Sequence, residues 1–220
     1  MPETTRRTSG RIRLTAAQRR AVIEQAATEL FAEHGYQRTG MDDIARRAGV
    51  SAPVVYDHFP SKRELHRHLL ELHFAELQQI WRSASAQPLP PEQRMTTALH
   101  AWFGYVRDHP YAWRMLFRDT TGDPAVQALH RQVTDASRAA MLPLLARDLP
   151  GHIPDVDDTH SLDMAWEVLR AGLQGLALWW HEHQHVQREQ VVAMAMNTLW
   201  IGYQRLLQGD TWQQTEPDRP

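Results

Sequence analysis

Apolar side chains recur every third or fourth position along almost the whole chain, Gly and Pro are sparse inside the long stretches, and no segment alternates convincingly between apolar and polar residues. A spacing of three to four is the period of one helix face, whereas a half-buried strand needs a period of two. No internal repeat interrupts the pattern. The chain is therefore expected to be all-α, with about nine helices. Its 220 residues, 42% of them hydrophobic, suffice for one large or two small domains around a sizeable core.

Local punctuation places the helices. Thr15-Ala16-Ala17-Gln18 is a capping box, in which hydroxyl and amide satisfy free backbone N–H groups reciprocally. The helix it opens buries Ala21, Val22, Ala26, Leu30 and Phe31 and stops at Gly35. A short helix, Met41 to Ala48, turns Ile44, Ala45 and Ala48 inward and ends at Gly49. Ser51 caps a third, Ala52 to Phe59, with Pro53 tolerated in its first turn. After Pro60, Ser61-Lys62-Arg63-Glu64 is a second capping box, opening a long helix to about Ser83. The small, Pro-rich segment Ala84 to Pro91 breaks the chain. Helices are expected beyond it at 92–108, 111–118, 124–147, 160–184 and 188–208.

Composition removes several classes of function. Without cysteine there is no disulfide scaffold, thiolate metal site or cysteine nucleophile. The N-terminus is polar and Arg-rich, unlike a secretory signal. The longest apolar stretch, Val191 to Tyr203, is thirteen residues interrupted by Asn197 and Thr198, short of the ~20 that span a membrane. A cytoplasmic protein with no membrane partner is expected. Charge is divided unevenly: residues 1–67 hold twelve Lys/Arg against eight Asp/Glu, and residues 68–220 hold twelve against eighteen. A basic first third ahead of an acidic remainder suggests a polyanion-binding module joined to something else. The arm Arg6 to Arg13 would lie along a phosphate backbone, enter a minor groove, or remain a diffuse basic tail.

The motif that carries function is Ala45-Arg46-Arg47-Ala48-Gly49-Val50-Ser51. A small residue lets two helices cross closely, Gly49 supplies a left-handed turn and Val50 plugs the gap, as in a helix-turn-helix. Three runs, AVIEQAATELFAEHGY at 21–36, MDDIARRAGVS at 41–51 and VYDHFPSKREL at 55–65, closely resemble the DNA-binding domain of the TetR (tetracycline-repressor) family, including its Tyr-x-His-Phe-x-Ser-Lys signature at 56–62. The resemblance implies a helix-turn-helix domain at 1–67 (core 15–67) and an effector-binding and dimerisation domain at 68–220. It places Ala52, Pro53 and Val54 at the tip of a recognition helix facing bases, and Tyr56, His58 and Lys62 on phosphates, where they fix register without reading sequence; Ser51, the cap of that helix, is counted with the DNA-binding residues. Base-edge hydrogen bonds would then fall to Arg46, Arg47 or Asp57. Where the family often has Thr-Thr, this chain has Thr39-Gly40. Gly40 is a weak cap, and Thr39 is left to supply the missing phosphate-contacting hydroxyl.

For the remainder, the resemblance implies a homodimer on a double-stranded palindromic operator, a repressor released by a small hydrophobic or aromatic effector, with no cofactor and no catalysis. Leu162, Trp166, Leu169, Leu173, Leu176 and Trp180 recur at a spacing near 3.5, beside a strip of Ala171, Gly172 and Gly175. From these and the last helix, Leu169, Gly172, Leu176, Trp180, Ala195, Leu199, Gly202 and Leu206 are expected at the dimer interface. Trp102, Phe103, Trp113, Phe117, Met141, Trp166, Leu173 and Trp179 are expected to line the effector cavity. The rival class is a histidine-rich metal-binding protein or metal-dependent enzyme of all-helical fold, from His181-Glu182-His183-Gln184-His185, in which His181 and His185 would stand at i and i+4 of a helix. No Gly-rich phosphate loop or nucleophile elbow supports it.

Overall fold

The computed structural model describes residues 14–117, 124–146, 158–208 and 210, and among these every regular element is a helix. They are α1 (Ala16–Arg38), α2 (Met41–Ala48), α3 (Ala52–His58), α4 (Lys62–Ser85), α5 (Pro91–Asp108), α6 (Pro110–Phe117), α7 (Pro124–Ala146), α8 (Asp158–Glu182), α9 (Arg188–Ala195) and α10 (Ile201–Leu207). A π-helical turn, Met196–Trp200, joins α9 to α10 in one continuous rod, so the described residues form nine rods. The π turn has no signature in the apolar spacing.

The caps act where the chemistry puts them, with instructive exceptions. Thr15 Oγ1 accepts from the Gln18 N–H at 3.2 Å and Gln18 Oε1 accepts from the Thr15 N–H at 2.9 Å. Gly35 leaves helical geometry (φ +78°), after which one further turn runs to Arg38. The buried stripe of α1 is Ile23, Ala26, Ala27, Leu30 and Phe31; Ala21 is exposed and Val22 half-buried, one position out of register. Ser51 stands at the N-cap of α3 but its hydroxyl makes no capping bond. Ser61 Oγ accepts from the Glu64 N–H at 3.1 Å, while the Glu64 carboxylate turns to Arg67, so that box is half formed.

The helix-turn-helix is built on the expected residues. Ala45 is buried, Gly49 is left-handed at φ +68°, and the Val50 N–H donates to the Ala45 carbonyl at 3.1 Å. Val55 and Phe59 anchor α3 into a core shared with Ile23, Phe31, Ile44 and Leu65. The same apolar cluster continues through Leu69, Leu70, Phe74 and Leu77 of α4 to Trp102, Trp113, Leu173 and Val191. The head is thus packed against the rest: α1 packs on α6, and α4 packs on α5 and α7.

Candidate DNA-binding head and effector cavity

On α3 the exposed residues are Pro53, Tyr56 and Asp57, one turn apart on one face, with Ser51 just ahead of them. Tyr56 keeps 50% of its surface in solvent, so its hydroxyl is open to an outside partner. His58 is half-buried on the last turn. Ala52 and Val54, expected to face bases, are half-buried and lean on the edge of the core. The apolar side chain that α3 offers outward is Pro53.

Lys62, assigned to phosphate, spends its ammonium within the fold. Its Nζ donates to the Tyr36 carbonyl at 3.0 Å and lies 4.3 Å from the Tyr36 ring centre. A phosphate contact would have to share that group. The neighbouring arginines also divide. Arg46 stands out in solvent, 2.9 Å from Asp43, and is free to swing. Arg47 reaches back to Glu29 at 3.0 Å and Glu33 at 2.9 Å, tying α2 to α1. Its hydrogen bond holds the Glu33 carboxyl below the ordinary value, and the two carboxylates raise Arg47 in turn.

Thr39 requires a correction. Its side chain is buried, 2% exposed, with the hydroxyl hydrogen-bonded to the carbonyls of Leu30 at 3.1 Å and Gly35 at 2.9 Å. A hydroxyl has one proton to give, so Thr39 locks the end of α1 and is not the substitute phosphate donor. Gly40 makes no side-chain cap, and only the reciprocal half of the box is present: Asp43 Oδ2 accepts from the Gly40 N–H at 3.1 Å.

Sequence spacing did not single out His66. It lies 3% exposed on α4, edge-on to Phe31 and Tyr36 at 5.0 Å between ring centres, and neither ring nitrogen has a hydrogen-bond partner. Burial pushes this imidazole down to about 4, with His130 and Lys62 adding to the effect. It is a neutral aromatic wedge between α1 and α4.

Two of the cavities among the described residues adjoin α8. The inner one, about 70 Å³, is lined by Phe74, Leu77, Gln78 and Trp81 of α4, with Trp102, Trp113, Trp166 and Leu173 among the other walls. The outer one, about 470 Å³, lies between α5, α8 and the α9–α10 rod. Leu169 and Leu173 line both. Of the residues expected here, Trp102, Trp113, Trp166 and Leu173 are found on the walls. Phe103 is core, stacked edge-on against Trp102 and Trp180. The side chains of Phe117 and Met141 lie outside the described residues. The α4 walls went unpredicted, because an apolar helical period is the same whether a side chain meets protein or empty space.

The two tryptophans at the end of α8 exchange roles relative to expectation. Trp180, expected at the dimer interface, is 3% exposed, packs on Phe103 and donates from Nε1 to the Val186 carbonyl at 2.8 Å. Trp179, expected in the cavity, is 45% exposed and stacks on His183 at 4.2 Å. The whole stripe Leu169, Leu173, Leu176, Trp180 faces the chain's own interior. Gly172 serves there too: a Cβ on it would lie 2.9 Å from Leu199, so this glycine admits the α9–α10 rod. Ala195 is fully buried, and the side chain of Leu206 lies outside the described residues. The unpartnered face of α8 is the next one round, Met164, Val168, Ala171, Gly175 and Trp179, continued by Met194, Ile201 and Gly202. At Gly175 and Gly202 a Cβ would meet nothing within 4 Å.

The histidine run does not form the expected pair. Helix α8 ends at Glu182 and the chain turns at 184–186, so His181 and His185 do not stand one helical turn apart. Among the described residues no group of three or more His, Asp or Glu is arranged to hold a metal ion, and no helix is long and apolar enough to cross a membrane.

Comparison with known proteins agrees with this architecture. The model of "Bacterial regulatory proteins, tetR family" matches residues 23–69, and that of "Tetracyclin repressor-like, C-terminal domain" matches residues 91–202. A relative, the HTH-type transcriptional activator FasR of Mycolicibacterium smegmatis, is 29% identical over 191 residues, covering 86% of this chain and 85% of its own. A TetR-like transcriptional regulator from Rhodococcus sp. RHA1 superposes with a TM-score of 0.69 at 22% identity, over 86% of this chain and 98% of that one. FadR from Bacillus subtilis, solved in complex with stearoyl-CoA, superposes at 0.67 and 14% identity over the same shares. The chain belongs to the tetR family of bacterial regulatory proteins and is a DNA-binding transcriptional regulator with a helix-turn-helix head and a tetracyclin-repressor-like C-terminal domain.

Proposed function

We propose that the protein binds a palindromic operator as a homodimer, acts as a repressor where that operator overlaps a promoter, and leaves DNA when a small apolar effector, an acyl chain by class, fills the C-terminal cavity. The observation that carries this reading is a single helix. α4 begins beside the recognition helix at Lys62, forms a wall of the inner cavity with Phe74, Leu77, Gln78 and Trp81, and ends at Ser85. Twenty-four residues at ~1.5 Å each make a rod about 36 Å long, so a group pressing on Phe74, Leu77 or Trp81 moves the head. A division near residue 67 falls inside α4, which belongs mechanically to both units.

At the head, Tyr56 and His58 serve as phosphate donors, with Lys62 joining once its bond to Tyr36 is shared. Ser51, Pro53, Arg46 and Asp57 stand nearest the base edges. Two heads on one face of the duplex must sit about 34–36 Å apart. An effector that prefers a wider spacing a hundredfold contributes ~2.7 kcal/mol per site toward release. The acyl class is supported by the apolar walls and by one solved relative: FadR of Bacillus subtilis carries stearoyl-CoA, on a fold this chain shares. The exposed stripe on α8 and the α9–α10 rod, open at Gly175 and Gly202, supports the dimer.

The test is selection of DNA from a random pool at about 150 mM salt, followed by palmitoyl-CoA titration of the selected complex. Enrichment of one inverted repeat, bound ~10³-fold tighter than random duplex and displaced by the thioester, is the expected result. Absence of any preferred sequence would overturn the regulatory reading, and an undisplaced complex would overturn the effector class.

A further inference from the structure

The histidine run at the end of α8 is built into a tight turn. The chain reverses over 183–186, where the Val186 N–H donates to the His183 carbonyl at 3.0 Å and the His183 N–H to the Trp180 carbonyl at 3.0 Å. Side chains tie this turn to the helix. Trp180 Nε1 donates to the Val186 carbonyl at 2.8 Å, and Gln184 Nε2 donates to the carbonyls of Trp180 at 3.2 Å and His181 at 3.0 Å. His183 Nδ1 lies 2.7 Å from the Trp179 carbonyl. A carbonyl only accepts, so in the neutral ring Nδ1 carries the proton and Nε2 keeps its lone pair. The ring is also stacked on Trp179, 4.2 Å between centres and 12° from parallel. A backbone carbonyl on one imidazole nitrogen is how metal-binding histidines are commonly held, with the other nitrogen aimed at the ion.

The turn also brings up a second imidazole. His183 opens it and His185 is its third residue, and the two ring centres stand 6.1 Å apart. With nitrogen–metal bonds of about 2.0–2.1 Å, a ring centre lies roughly 3.2 Å from the ion, and two rings at a tetrahedral angle lie roughly 5.2 Å apart. The observed gap is wider by about 1 Å, and His185, the exposed ring, has room to close it. The carbonyl end of α8 favours a positive charge beside it. We infer that His183 and His185 form a surface site for a first-row divalent cation of the kind imidazole prefers, copper(II) held more tightly than nickel or zinc, with water completing the coordination. Two imidazoles without a thiolate make an exchangeable site, unlike the closed four-ligand cages of structural zinc. This pair is distinct from His181 and His185, which helical spacing suggests, and it depends on neither the effector nor the dimer of the proposed function.

Isothermal titration of the untagged, chelator-treated full chain with copper(II), nickel and zinc chlorides tests this, together with electron paramagnetic resonance of the copper complex. One copper per chain is expected in the tightest class, with nitrogen hyperfine splitting from two imidazoles. His185→Ala changes an exposed side chain and leaves the hydrogen bonds of the turn in place, so its unfolding midpoint should not move while copper affinity falls at least tenfold. His183→Ala should lose as much affinity, and His181→Ala should stay within twofold of the native protein. Copper held equally well after His183→Ala and His185→Ala sits elsewhere on the chain and overturns the inference. So does loss of binding on His181→Ala, which would restore the helical pair, and so does a native protein that takes up no stoichiometric ion. Each of these results leaves the proposed function standing, since operator and effector binding are read without added metal.

Discussion

The head and the C-terminal half are built from the same material, amphipathic helices, yet only the head announces what its residues do. In the head each helix shows one buried face and one exposed face, and each boundary carries its own turn chemistry: Thr15 with Gln18, the left-handed Gly49, Ser61 with Glu64. In α8 one face is polar, with Asp163, Glu167, Arg170 and Gln174 at helical spacing, and apolar or small residues take up the rest of the circumference. One stripe meets the chain's own core, a second lines two cavities and a third stands open. A helix with a single narrow apolar face has a single way to bury it. One with so broad an apolar surface leaves the choice to its neighbours.

The largest effect that would break this contrast lies at the adjacent tryptophans. Trp180→Ala is expected to cost about 3–5 kcal/mol in denaturant unfolding, as for other buried aromatics. Trp179→Ala should leave stability within about 1 kcal/mol and instead weaken self-association in sedimentation. Equal stability losses would mean that α8 has no distinct open face. Next in size is acid sensitivity. His66 is held near 4 in the fold against about 6.5 unfolded, so the unfolded chain binds the proton first. Its contribution is complete above pH 6.5 and declines as pH falls toward 4, by about 2 kcal/mol at pH 5. His66→Phe, which keeps the aromatic wedge, should remove that slope between pH 7.5 and 5 in urea titrations. An unchanged slope would assign the acid loss to other groups.

Smaller effects sharpen the picture of the head itself. Tyr56→Phe should weaken binding to specific and random DNA alike by about 1 kcal/mol, roughly fivefold, without moving the unfolding midpoint, as expected for a phosphate donor. Loss confined to one operator position would make Tyr56 a base reader. Thr39→Val should do the reverse, lowering stability by about 1 kcal/mol through the lost buried bond while leaving DNA affinity per folded molecule unchanged.

The all-α class, the order of the nine rods and the helix-turn-helix follow from contacts within about five residues along the chain: caps, turn glycines and a repeating apolar face. Those interactions travel with the sequence wherever it is placed, so they could be read directly from it. The roles of Thr39, Trp180 and Gly172 could not. Thr39 depends on the break at Gly35, which lets its hydroxyl reach the Leu30 and Gly35 carbonyls of α1, and the other two depend on which distant element arrives, Phe103 beside Trp180 or Leu199 against Gly172. A helical period reports that a side chain is apolar and which neighbours share its face. Whether that face meets packed protein, an empty chamber or open solvent is settled only when α4, α5 and the α9–α10 rod close around it.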